Sequence, residues 1–382
     1  MPFLAGSDAP TELDVYARLP VEIVRGAGCQ VWDSNGKVYL DFYGGHAVTA
    51  LGYAHPALTA AIQSQAQQLI FQTNAVDVAI RREALATLAS VAPLGHAFLV
   101  NSGAEANENA LRLAFLHTGR TRVTCLQGGF HGRTAAAGAV TDHNASWYAF
   151  PQTPFAVDRV PINDIAALDQ AMTDDTAAVI FEPVQGVAGA VECETAFLQA
   201  AARLAKERGI LLIADEVQTG VGRCGTMFAV EHAAVQPDIL TVAKGLGGGI
   251  PVAAVLCSAP VAAVAKRGML GTTFGGGPVA CAAMQAVLHA VSAPGFLGQV
   301  RERSEQLIHG CLQAGVRQVT GRGLLLGLHL DTPAAPVRTE LLQRGFLTGD
   351  AKNPNIVRLL PPLIISASDV GAFTTALREV LA

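Results

Sequence analysis

Residues 210–220, ILLIADEVQTG, and residues 238–251, DILTVAKGLGGGIP, each carry an apolar run to a charged side chain, Asp215 in the first and Lys244 in the second. Apolar runs of this length without polar alternation suit strands covered on both faces, so each charged group is delivered at a strand end. A lysine amine can hold a carbonyl cofactor as a Schiff base. An aspartate can ion-pair with a pyridine nitrogen, keep it protonated and make the ring an electron sink. Together they are the pair that pyridoxal 5'-phosphate needs, and the rest of the chain can be weighed against that idea.

The segments AFLVNSG (97–103), VTCLQGG (123–129), AAVIFEPV (177–184) and AAVLCS (253–258) read as further strands. AEANENALRLAFLH and TAFLQAAARLAKERG repeat apolar residues at three and four, as crossover helices do. The fold class that follows is α/β with a mostly parallel central sheet. Before it, CQVWDSNGKVYLDF predicts a hairpin on a type I′ Asn35-Gly36 turn, then amphipathic helices within 55–69 and around 81–91. After a long helix over 278–291, GLLLGLHL and NIVRLLPPLIIS read as short strands, and SASDVGAFTTALREVL as a Ser-capped helix. This closing part is a smaller α+β unit. The expected division is an N-terminal segment 1–50, a large domain 51–295 and a C-terminal small domain 296–382.

The chain has 382 residues, 51% hydrophobic and 15% charged, enough apolar material for a large domain and a smaller one. Its net charge of −5 comes with no basic block, which argues against nucleic acid or an anionic membrane as partner. The seven cysteines form no CxxC or CxH cluster and read as free thiols, and no metal site is expected. MPFLAGSDAPTELD lacks a basic stretch followed by an apolar one and no run approaches 18 uninterrupted apolar residues, so neither a signal peptide nor a membrane span is expected. The expected compartment is the cytoplasm.

Strand ends gather ligands at one edge of an open α/β sheet, and here they supply Ser102, Gly103, Ala104, Phe130, His131, Glu182, Asp215 and Lys244. In NSGAEANENALRLA a glycine-containing turn opens a helix whose free N–H groups could bind a phosphate, or Ser102 could be an ordinary helix cap. Thr273 in TTFGGGP could donate to the same phosphate. Phe130 could stack on the cofactor ring or belong to the core. Arg133 and Arg358 are each suited to a carboxylate, although either could instead form a surface ion pair.

NSGAEANE, FHGRT, FEPVQG, ADEVQTGVGR, TVAKGLGGGIP, TTFGGGP and RLLPPL occur in an order and spacing that resemble the class III (subgroup II) pyridoxal-phosphate aminotransferases. The resemblance covers nearly the whole chain and is nearest to the acetylornithine aminotransferase branch. It implies a fold type I transferase whose small domain is built from the N- and C-terminal segments, and a homodimer with shared sites. Lys244 would hold the cofactor and shuttle the proton, and Asp215 would pair with the pyridine nitrogen. Val217 and Phe130 would flank the ring, with Gln218 on the phenolic oxygen and Glu182 nearby. The phosphate would lie at Gly103 and Ala104 of one subunit and Thr273 of its neighbour.

For substrates, the resemblance gives Arg133 to the α-carboxylate of an acylated diamino acid and Arg358 to that of glutamate or 2-oxoglutarate. The implied reaction moves the δ-amino group of N2-acetyl-L-ornithine to 2-oxoglutarate in arginine biosynthesis. Alternatives are N-succinylornithine, ornithine, 4-aminobutyrate or acylated lysine as donor, or a decarboxylase or aminomutase on the same fold. One departure matters: FEPVQGVAG places Val187 where relatives commonly carry a glutamate that pairs with the second arginine. Arg358 would then face the acyl end of the donor and accept a succinyl carboxylate, unless another carboxylate or solvent compensates. Gly277 and Tyr53 are milder departures expected to adjust the entrance, and Tyr43 and His46 either contribute to donor recognition or belong to a packed hairpin.

Overall fold

The structure is a computed structural model and describes residues 13–142 and 145–382. Its centre is a seven-stranded sheet formed by β1 (His96–Val100), β2 (Arg122–Leu126), β3 (Ala156–Val160), β4 (Thr176–Phe181), β5 (Leu211–Asp215), β6 (Ile239–Val242) and β7 (Ala253–Cys257). In space the order is β1-β7-β6-β5-β4-β2-β3. Neighbours from β6 through β3 pair in parallel, while β7 runs antiparallel to both β6 and β1. The mostly parallel α/β sheet expected from the sequence is present.

Alternate residues of the central strands enter opposite cores. Leu212, Ala214, Val179 and Phe181 join the larger cluster, while Leu211, Ile213, Ala178 and Ile180 join a second on the other face. This is why these strands show no polar alternation. Helix α1 (Gly103–Thr118) covers the second face with Ala106, Ala110, Leu111 and Ala114, and α2 (Thr195–Arg208) covers the first with Phe197, Leu198, Ala201 and Leu204. Both helices end at a left-handed glycine, Gly119 and Gly209, where a residue with a Cβ would be strained.

β3 is absent from the sequence expectation. Its first residue is exposed, the next three are partly exposed and only Val160 is buried at this sheet edge, and Pro151, Pro154 and Pro161 flank it, so neither a continuous apolar run nor a clean boundary marks it. The N-terminal hairpin, Gln30–Asp33 with Val38–Asp41, forms as expected, but its turn is not type I′. Gly36 is left-handed at φ +81 while Asn35 is not. The Asp33 carboxylate decides this: Oδ1 accepts from Asn35 N at 3.0 Å and from Lys37 N at 2.9 Å, which closes a side-chain turn instead.

The two chain ends share structure. Phe346–Leu347 adds a parallel strand beside Val38–Asp41, and Phe42 stacks on Phe373 at 4.2 Å between ring centres. Phe373 belongs to the helix Ala367–Leu381, capped by Ser366, whose hydroxyl accepts from Asp369 N at 3.1 Å. The helix Phe296–Gln313 and an antiparallel sheet of Gln318–Arg322, Leu325–His329 and Ile356–Leu359 complete this part. Tyr53 does not adjust an entrance: it packs on Gly26, and its hydroxyl donates to Asp41 Oδ2 at 2.5 Å. Gly277 is the N-cap of the helix Pro278–Val291. Among the described residues no single helix is long and apolar enough to cross a membrane.

The loop after β5 is held from within. Glu216 is fully buried, accepts from Val230 N at 2.8 Å and from the Thr219 hydroxyl, and burial pushes its carboxyl up to about 7. The folded chain therefore keeps a proton that the unfolded chain releases above its ordinary value of 4.5, so this group costs stability as pH rises through that window. Glu216→Gln can keep both contacts without the charge. It should be more stable than the parent by about 1–3 kcal/mol at pH 8, with the gap closing near pH 4. Denaturant midpoints of both proteins across that range check this, and a gap independent of pH would contradict it.

Candidate active site

β2, β4, β5 and β6 end at one edge of the sheet, joined there by the end of β1 and the start of β7. The segments leaving this edge enclose a cavity of about 440 Å³. Ser102, Gly103, Ala104, Phe130, His131, Arg133, Glu182, Asp215, Val217, Gln218 and Lys244 all line it. A second cavity of about 550 Å³ adjoins it and shares Phe130, Arg133, Gln218 and Lys244. Arg358 lines only the second. Thr273 lines neither, and is exposed in its loop.

Asp215 is 2% exposed at the end of β5. Its Oδ2 accepts from Asn107 Nδ2 and from His131 Nδ1, each at 2.7 Å, and its Oδ1 from Val217 N at 3.0 Å. Because the carboxylate only accepts, the proton of the His131 contact lies on Nδ1, and Nε2 has no partner. Asn107 is fixed in turn by Thr241, whose hydroxyl donates to its Oδ1 at 2.7 Å. Asn107 was not singled out in the sequence. Its signal was an asparagine on the buried face of α1, where the neighbouring positions are apolar.

Lys244 follows β6 with φ +46, a left-handed conformation that costs a residue with a Cβ on the order of 1–3 kcal/mol. Burial lowers its amine below the ordinary lysine value, opposed by Asp215 and Glu182. Glu182 is buried, accepts from Phe130 N at 2.8 Å, and is pushed up to about 7 by burial. Gln218 Oε1 is buried with no partner. Gly103 lies directly under Val217: a Cβ there would meet Val217 Cγ1 at 2.7 Å.

Ser102 is an N-cap, as the plainer of its two readings has it. Its hydroxyl accepts from Glu105 N at 3.2 Å and donates to Glu105 Oε2 at 2.9 Å. The cap leaves the N–H groups of Gly103 and Ala104, the first two of α1, without internal partners. These features fit pyridoxal phosphate: free helix N–H groups for its phosphate, a fixed carboxylate for its nitrogen, an unpartnered amide for its phenolic oxygen and a buried amine for its aldehyde.

Around the second cavity, the Arg133 guanidinium sits 5.0 Å from the Trp147 ring centre, and Trp147 meets Phe130 edge-on at 5.6 Å. Lys352 is ion-paired with Asp142, and its N–H donates to Val187 O at 2.9 Å. Arg358 is 4% exposed on the strand Ile356–Leu359 and donates through Nη2 to Tyr43 Oη at 2.7 Å. Its Nε and Nη1 have no partner, and among the described residues no carboxylate ion-pairs with it. Val187 lines the same cavity. The Tyr43 hydroxyl also hydrogen-bonds His46 Nδ1 at 2.6 Å, in a turn where Gly44, Gly45, His46 and Ala47 all have positive φ. For the last two this costs roughly 1–2 kcal/mol each. Trp147 and Lys352 are site neighbours that no sequence motif marked.

All seven cysteines are buried and free, and no cluster among the described residues could hold a metal ion. The family model for class III aminotransferases matches residues 14–381. The acetylornithine aminotransferase of Streptomyces coelicolor is 43% identical over 97% of this chain and 93% of its own length. Among solved structures, the ornithine aminotransferase of Toxoplasma gondii superposes with a TM-score of 0.92 at 30% identity, covering 96% of this chain and 91% of that one. The acetylornithine aminotransferase of Elizabethkingia anophelis gives 0.87 at 32% identity, covering 96% and 95%. The chain belongs to the class III aminotransferases, which are pyridoxal-phosphate enzymes.

Proposed function

We propose that this enzyme transfers the δ-amino group of N2-acetyl-L-ornithine to 2-oxoglutarate in two half-reactions, as a cytoplasmic step of arginine biosynthesis. The observation that carries the reading is the convergence of Lys244 and Asp215 on one cavity, with Arg133 and Arg358 facing its extension. Two arginines match the two carboxylate-bearing substrates that must take turns there. The names of relatives that match over nearly their full length support the acetylated donor.

Bound pyridoxal phosphate supplies an aldehyde that captures the amine and a ring that accepts the electrons of the C–H bond. The chain's residues do the rest. Lys244, its amine pushed down by burial, is neutral more readily than a solvated lysine and moves a proton at the carbon that carries the amino group. That carbon is Cδ of the donor and Cα of glutamate. Asp215, held by three donors, keeps the ring nitrogen protonated. Val217 and Phe130 would hold the ring between them and Gln218 would bind its phenolic oxygen, while Glu182 fixes the Phe130 backbone. Gly103 and Ala104 hold the phosphate.

Thr273 would complete that phosphate site from a second copy of the chain. Its exposure away from its own cavity supports this, as does the exposed Phe71–Phe274 pair, at 5.4 Å between ring centres. A second donor, N2-succinylornithine, is favoured by one observation: the unpartnered Nε and Nη1 of Arg358 beside Val187 could take a carboxylate on the acyl arm.

Lys244→Ala should leave the protein folded and able to bind the cofactor noncovalently, with turnover reduced by at least about a thousandfold; ordinary turnover would overturn the assignment. Gly103→Ala should force Val217 out of place and weaken cofactor affinity roughly tenfold, read by titrating the apoprotein; unchanged affinity would contradict the cradle. Mixing the holoenzyme with N2-acetylornithine or N2-succinylornithine, with no oxo acid present, separates the donors. Faster loss of the cofactor's absorbance with the acetyl compound supports the primary reading. A faster succinyl reaction supports the second, and silence with both sends the search to ornithine and 4-aminobutyrate.

A further inference from the structure

The turn from Tyr43 to Ala47 is built at a cost and aimed at one group. Four consecutive residues are left-handed, two of them with a Cβ, and the turn is fixed by Asp41, whose Oδ1 accepts from Tyr43 N at 2.7 Å and Gly44 N at 2.9 Å. Tyr53 holds the other oxygen of Asp41. A Cβ on Gly44 would meet Leu360 O at 2.6 Å, so the turn sits directly against the segment that follows Arg358. The Tyr43 ring lies on Gly349, where a Cβ would collide with its Cε2, and Gly349 exchanges backbone hydrogen bonds with Arg358. Ring, turn and arginine therefore form one packed unit.

We propose that Tyr43 and His46 are positioning residues that set the specificity of the Arg358 subsite for an α-carboxylate, as a neutral relay from Arg358 Nη2 through Tyr43 Oη to His46 Nδ1. The proposal rests on the reading above, in which Arg358 takes the α-carboxylate of glutamate or 2-oxoglutarate. An arginine donates only, so Tyr43 Oη must accept from it, and the phenol's own proton goes to Nδ1. His46 is then the neutral tautomer with its proton on Nε2. The relay occupies Nη2 and leaves Nε and Nη1 unpartnered. Tyr43 takes one of the two N–H groups of Nη2, so one two-nitrogen edge of the guanidinium, Nη2 with Nε or Nη2 with Nη1, stays open to match the two oxygens of a carboxylate. Because the resident partner is an uncharged phenol, an arriving carboxylate displaces no anion.

A wholly structural role would affect both half-reactions and stability alike, whereas a positioning role divides them. Tyr43→Phe keeps the ring on Gly349 and removes only the hydroxyl. His46→Gly keeps the left-handed turn and removes the acceptor; His46→Asn restores an acceptor in a residue that tolerates this conformation. In single half-reactions of the holoenzyme, Tyr43→Phe should raise the glutamate concentration needed for half-maximal rate roughly tenfold with little change in the maximal rate. His46→Gly should raise it severalfold and His46→Asn should recover most of that loss. The half-reaction with N2-acetylornithine, whose acyl end has no carboxylate, should stay within about twofold of the parent in all three. Calorimetric binding of glutarate, which cannot react, should weaken in parallel with glutamate.

Equal losses in both half-reactions accompanied by a lower melting temperature would overturn the proposal. Unchanged glutamate and glutarate binding in Tyr43→Phe and His46→Gly, with a parent enzyme that responds to both substrates, would overturn it alone. A parent enzyme that responds to neither substrate would overturn it together with the functional reading.

Discussion

A carboxylate buried at the end of a central strand is expensive, and Asp215 is the point around which this site is arranged. Three donors converge on it from three separate segments: Asn107 from α1, His131 from the loop after β2, and the backbone of Val217. Asn107 is tied to Thr241 in β6, so the second strand beside the carboxylate is also engaged. The network places Asp215 with little freedom. A protonated pyridine ring at the cavity side would add the cationic N–H that this carboxylate lacks.

The sheet explains why these groups can meet at all. Parallel strands bring their C-terminal ends to one edge, so residues far apart in sequence leave the core within one cavity. Because both faces of the sheet are covered, that edge is the place where strand-borne polar groups can reach a ligand. The amine of Lys244 is pushed down there by the same burial that raises Glu182. One low-polarity environment thus favours a neutral base and a protonated acid side by side.

Much of this was legible in the sequence. The strands ending in Asp215 and Lys244 could be read because burial on both faces leaves uninterrupted apolar runs, and the helix Pro278–Val291 because its proline and apolar spacing mark both its start and its face. What could not be read was decided by contacts distant in sequence or by side-chain competition. β3 lies at a polar edge, the Asn35-Gly36 turn was captured by Asp33, and Asn107 looks like any polar residue of a helix until Asp215 is placed beside it. Tyr53 shows the same limit, because its phenol answers to Asp41 and not to the cavity.

The surroundings of Arg358 bear on how one cavity serves two substrates in turn. An arginine in a protein interior that is paired with a fixed carboxylate must break that pair each time a substrate carboxylate arrives, and must remake it afterwards. With Val187 lining the same cavity and Tyr43 the one side-chain partner among the described residues, no such exchange is needed, and the cost of the buried cation is borne partly by the phenol and partly by the cavity itself. In the proposed reaction, the binding of glutamate or 2-oxoglutarate would then gain the full benefit of neutralising the guanidinium. The proposed donor, in contrast, would occupy the same cavity while that cation stays unneutralised, unless its acyl arm carries a charge of its own. On these proposed roles, discrimination between acyl groups would depend on how strongly Tyr43 and His46 satisfy Arg358, because the weaker that hold, the greater the advantage of a donor that brings its own anion.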